Sequence, residues 1–71
     1  MKKSPTPMEI RAARDSAKLT QSAAAALVHS AAGTWQQWEA GDRKMHLGFW
    51  ELFLIKTKQL ELFAIQAEGT P

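Results

Sequence analysis

Gln36-Gln37 and, seven positions on, Arg43-Lys44 are the residues of this chain whose types and spacing point to chemistry. A glutamine amide sets a donor beside an acceptor, which matches adenine N6 and N7 in the major groove of DNA. Arginine and lysine just past such a pair are natural contacts for backbone phosphates. Other chemistries find little material. There is no cysteine, and His29 and His46 are the only histidines, with no carboxylate at ligand spacing beside them. That argues against a metal site. No nucleophile–base set, glycine-rich phosphate loop or paired acid group stands out, so the reading is not an enzyme, with no cofactor and no small-molecule substrate.

The 71 residues have room for one domain around one small core. An apolar fraction of 45% is too high for a disordered chain. A chain this small, with no disulfide or metal to staple it, is a candidate for oligomerisation. The net charge is only +2, but it is unevenly spread: Lys2, Lys3, Arg11, Arg14 and Lys18 face only Glu9 and Asp15 within residues 1–21. This is a modest basic face rather than a basic protein. Lys2 and Lys3 are followed by no apolar stretch of a signal peptide, and no run approaches the roughly 20 apolar residues of a membrane span. The expected location is the cytoplasm.

The elements that must position these groups read as helices throughout. Residues 1–5 are a polar arm. Thr6-Pro7-Met8-Glu9 has the form of a capping box with proline at the first helical position. A first helix then runs to about Ala17, with Ile10, Ala13 and Ala17 on one face and Arg11, Arg14 and Lys18 on another. Thr20 caps a second helix, about Gln21 to Val28, whose alanines 23–26 offer a packing surface another helix can approach closely. The chain breaks at Val28-His29-Ser30, and a third helix follows through Ala40, stopped by Gly41. Gly33 within it costs about 1 kcal/mol of helix propensity and can mark close approach to a partner. A fourth helix begins near His46 or Leu47, with His46 capping or flanking it. Residues 49–55 are apolar on nearly every side, which calls for burial on more than one face. A tail with Leu60, Leu62, Phe63 and Ile65 either continues this helix or forms a short fifth one.

A helix, a sharp turn and a second helix can set one helix in the major groove while the other braces it. The residues that do so here resemble the lambda-repressor-like, Cro/cI-type (XRE) helix-turn-helix regulators. The likeness is carried by Arg14, Leu19-Thr20-Gln21, Ala25, the turn at Val28-His29-Ser30 and Trp35-x-x-Trp38-Glu39-x-Gly41. Gln21 and Glu39 stand 18 positions apart, as in that family. The likeness covers roughly Ile10 to Phe53, and the run after Gly33 looks like short regulators borne by phages and mobile elements. His29 departs from the pattern, since the family usually has glycine there; histidine adopts the left-handed conformation less easily.

The resemblance implies an all-α fold, a compact lambda-repressor-like DNA-binding domain of four to five helices over residues 6–57. It implies that Ala32, Gly33, Thr34, Gln36 and Gln37 face the groove. It also implies that Thr20 and Gln21, at the start of the second helix, join Arg43 and Lys44 on phosphates. Arg14 and Glu39 are left to pair with each other and tie the first helix to the third. Trp35 and Trp38, three apart, read as core.

The partner is then a double-stranded DNA operator, and the leading function a homodimeric repressor or autorepressor on an inverted repeat. Two half-sites about 34 Å apart would suit a two-fold dimer. Residues 58–71 read as a dimerisation extension, with an interface of Trp50, Leu54, Leu60, Leu62, Phe63 and Ile65. Two rivals stay open: an antitoxin-type interaction module that also binds DNA, and a transcriptional activator.

Overall fold

Three of the four helices among the described residues start on a side-chain cap, and each closes through a residue in the left-handed region. The structure, a computed structural model, describes residues 4–61. It has four helices there and no strand: α1 (Pro7–Ser16), α2 (Gln21–Leu27), α3 (Ala32–Ala40) and α4 (Leu47–Lys56). At the head of α1 the Thr6 hydroxyl accepts from the Glu9 N–H at 3.1 Å, and the Glu9 carboxylate accepts from the Thr6 N–H at 2.9 Å. Both halves of the expected capping box are formed. Thr20 caps α2 through the Ala23 N–H at 3.1 Å. His46 caps α4, its Nδ1 accepting from the Gly48 N–H at 3.0 Å. Gly48 makes room for that ring, since a β-carbon there would lie 3.2 Å from Nδ1. Only α3 starts without a side-chain cap, on Ala31.

The helix ends share one device. Lys18, His29, Gly41 and Lys58 have φ of 59°, 61°, 86° and 61°. In each case the next residue's N–H reaches back five positions: Leu19 to Arg14, Ser30 to Ala25, Asp42 to Gln37 and Gln59 to Leu54. This is the Schellman closure, which satisfies carbonyls that a helix end leaves orphaned. His29 therefore takes the conformation that its glycine-like position requires. α4 likewise closes at Thr57-Lys58 instead of running on, and the chain turns helical again at Leu60-Glu61.

The core is built from Ile10 and Ala13 of α1, Ala24 and Ala25 of α2, Trp35 and Trp38 of α3, and Trp50, Phe53 and Leu54 of α4, with Val28 and Met45 between helices. α3 packs on both α2 and α1. Of the four alanines in α2, Ala24 and Ala25 are buried and Ala23 and Ala26 face outward, so half of that run is the packing surface. Trp35 stands edge-on to Trp38 at 5.4 Å between ring centres and tilts on Phe53 at 5.0 Å. Truncating a buried ring of this size costs about 3–5 kcal/mol. Two polar ties hold α4 down. The Lys56 ammonium donates to the Leu27 carbonyl at the end of α2 (2.8 Å), and buried Gln59 donates to the Ala13 carbonyl of α1 (2.9 Å).

This packing corrects the expected dimer surface. Trp50 is 4% exposed and Leu54 fully buried within the chain itself, so neither has area to offer a second copy. One side of α4, Trp50, Phe53 and Leu54, is taken up by the chain's own core, and Gly48, Phe49, Ile55 and Lys56 are exposed. Leu60 also packs on that core, so the packed body runs past residue 57. Leu62, Phe63 and Ile65 lie outside the described residues. The apolar side chains that α4 does expose are Phe49, at 39%, and Ile55, at 56%. No helix among the described residues is long and apolar enough to cross a membrane.

Candidate nucleic-acid interface

The outward face of α3 is fixed by what its inward face holds. Trp35 and Trp38 point into the core, which leaves Gly33, Gln36 and Gln37 exposed and Ala32 and Thr34 half-buried at the edge of the same helix. Gln36 and Gln37 make no side-chain hydrogen bond among the described residues, so both amides keep their full donor and acceptor capacity. Gly33 has no packing reason to lack a side chain: a β-carbon there would meet nothing within 4 Å.

Glu39 locks the orientation of this helix. Its carboxylate accepts from Arg14 Nε at 2.6 Å and Arg14 Nη2 at 3.0 Å, from the Trp35 indole N–H at 2.6 Å and from the Gln21 amide at 3.1 Å. Arg14 also donates to the Leu19 carbonyl at 3.0 Å. One carboxylate thus joins α1, the first residue of α2 and two positions of α3. Burial works to raise the Glu39 pKa, but hydrogen bonds from Arg14, Trp35 and Gln21 outweigh it and hold the carboxyl below its usual range. The same hydrogen bond raises the already high pKa of Arg14. Arg14 and Glu39 pair as expected.

The residues assigned to phosphates divide into two groups. Arg43 and Lys44 are exposed and have no ion-pair partner among the described residues. Their turn is bound directly to α3, because the Gln37 carbonyl accepts from the N–H groups of Asp42 (3.0 Å) and Arg43 (3.3 Å). The backbone that carries Arg43 is therefore fixed to Gln37, whose own side chain is exposed. At the other end, Thr20 is exposed and its hydroxyl, though accepting in the cap, still has a proton to donate. Gln21 is turned inward: its amide serves Glu39, so one N–H and the carbonyl are what it has left. Spacing alone did not separate these two uses of Gln21.

Trp38 is core, 4% exposed and 5.5 Å from the Phe49 ring. It also borders a cleft of about 470 Å³ between the segment Ser4–Pro7 and the turn carrying Arg43 and Lys44. Nothing in the linear pattern signalled this cleft, since its lining comes from residues 4–7 and 38–44, which lie far apart in sequence. No protein-family model matches the chain, and no curated protein is significantly similar to it.

Proposed function

We propose that the chain is a sequence-specific double-stranded DNA-binding regulator of the lambda-repressor-like helix-turn-helix kind, acting as a homodimeric repressor on an inverted-repeat operator. The observation that carries this reading is the division of labour on α3. Its inward side is clamped to α1 and α2 through Glu39, and its outward side presents two glutamine amides and, in the turn that follows, two cations, all four without a side-chain partner among the described residues. An uncharged amide pair suits base edges and the cations suit phosphates. Arg14, Gln21 and Glu39 then serve by fixing the angle between the helices.

Footprinting on the DNA upstream of the protein's own gene tests the reading. Two protected half-sites about 34 Å apart on one face of the duplex are the expected result. Equal affinity for that DNA and for random duplex would overturn it.

A further inference from the structure

The exposed side of α3 is one continuous stripe. Gly33, Gln36, Gln37 and Ala40 are all exposed and fall at i, i+3, i+4 and i+7, which puts them on one face of the helix. Gly33 stands one turn before the glutamines and Ala40 one turn after them. A β-carbon added at Gly33 would meet nothing within 4 Å, so no other part of the chain overhangs the stripe there. The two glutamines are therefore the longest groups on that face and reach a partner first.

The stripe carries no charge of either sign. The one charged residue of α3 is Glu39, and its carboxylate is taken up by Arg14, Trp35 and Gln21. Each base pair shows its own set of donors and acceptors in the major groove. Guanine offers two acceptors, O6 and N7, which call for arginine or lysine, and cytosine offers the N4 donor, which suits a carboxylate. Neither kind of reader is on this face. Adenine sets the N6 donor beside the N7 acceptor, and a glutamine amide answers both at once. Before guanine the same amide loses one of its two bonds, because its oxygen meets another acceptor.

Resting on the DNA-binding reading above, we propose that the base pairs beneath Gln36 and Gln37 are A·T pairs, with adenine the base that each amide holds. The operator is thereby chosen by amides alone along α3. Arg43 and Lys44 lie in the turn beyond this face and, on phosphates, add affinity without selecting a base.

The test begins with selection of duplexes from a random pool by the full chain and by its Gln36→Ala and Gln37→Ala variants. The positions whose preference each variant relaxes should be A·T pairs. At each such position an inosine–cytosine pair then gives the major groove the guanine pattern while leaving the minor groove like that of A·T. Wild type should bind that duplex roughly tenfold more weakly than the A·T one, and the variant should bind both alike. Relaxed positions that are G·C pairs, or variants that relax no position, would overturn the inference and leave the DNA reading standing. So would an inosine–cytosine duplex bound as tightly as the A·T one, since the preference would then come from the minor groove or from duplex shape. A pool from which no sequence is enriched would overturn the DNA reading and the inference with it.

Discussion

Arg14 grips Glu39 across 25 positions of sequence with two nearly parallel bonds, Nε to one carboxylate oxygen at 2.6 Å and Nη2 to the other at 3.0 Å. The side chains are 14% and 9% exposed, so water does little to screen the pair. Replacing Glu39 by Leu leaves the Arg14 charge, the Trp35 N–H and the Gln21 amide without their acceptor. Losing one partner of a buried pair costs about 3–5 kcal/mol, against a total stability of only about 5–15 kcal/mol for most domains. Urea unfolding should place Glu39→Leu at the margin of folding, with Glu39→Gln milder because its amide oxygen still accepts. A Glu39→Leu midpoint equal to wild type would show that the pair is idle.

The same site gives a pH dependence. The folded Glu39 carboxyl titrates below its unfolded counterpart, since the hydrogen bonds from Arg14, Trp35 and Gln21 outweigh the opposing effect of burial. Its stabilisation is complete above the unfolded glutamate value of about 4.3 and is lost as pH falls through the lower folded value. The advantage of wild type over Glu39→Gln should therefore narrow as pH falls from about 5 toward 3. Parallel acid-unfolding curves for the two proteins would refute this.

His29 and Lys18 hold left-handed backbone at φ of 61° and 59°. A β-carbon there costs on the order of 1–2 kcal/mol, part of which glycine returns in the greater entropy of its unfolded chain. Each of His29→Gly and Lys18→Gly should stabilise the domain by about 1 kcal/mol, or roughly 4–8 °C in melting temperature. Unchanged or lower melting temperatures would mean that these side chains contribute more than the strain they impose.

What was legible in the sequence was local. Thr6 with Glu9, Thr20 and Gly41 mark helix ends because a cap satisfies backbone groups within a few positions of itself. Ile10 and Ala13 followed from helical spacing, and Trp35 from the family resemblance, with Trp38 three positions on. The hold of Lys56 on the Leu27 carbonyl and of Gln59 on the Ala13 carbonyl left no mark, because nothing in either residue's neighbourhood specifies a partner 29 or 46 positions away. The surroundings of Trp50 and Leu54 were misjudged for a related reason. Apolar residues all round a helix say that it is enclosed, not whether one chain or two enclose it.

On α3, Gln37→Ala should leave the fold intact, as the side chain is exposed and makes no hydrogen bond among the described residues. Operator binding should weaken by about 1–3 kcal/mol, with relaxed preference at one base pair in each half-site. Circular dichroism and binding to operators varied at single positions would check both parts. Equal weakening on operator and random DNA would deny Gln37 a base-reading role.

Arg43 and Lys44 act by charge under the same reading, so their loss should not alter sequence preference. Arg43→Ala or Lys44→Ala should weaken specific and non-specific binding alike. Each should also reduce the slope of log affinity against log salt by about 1 for the phosphate contact removed. An unchanged slope would return that residue to a solvated turn.

The dimer proposal now turns on what α4 leaves outside. Leu60 packs on the chain's own core, so a charge placed there would damage the fold and the assembly together. Ile55 is 56% exposed at the far end of α4, away from the His46 cap, and is the better probe. If a second copy docks on this end of α4, Ile55 is the large apolar side chain of the helix most open to it. Ile55→Glu places a carboxylate on that surface while sparing the buried Phe53 and Leu54 next to it. Sedimentation should show wild type as a two-fold dimer and the variant shifted toward monomer, with helical content retained. Operator affinity should fall with dimerisation, because two linked recognition helices bind a repeat far better than one. A wild-type protein that is monomeric at micromolar concentration, and binds its operator without cooperativity, would overturn the dimer.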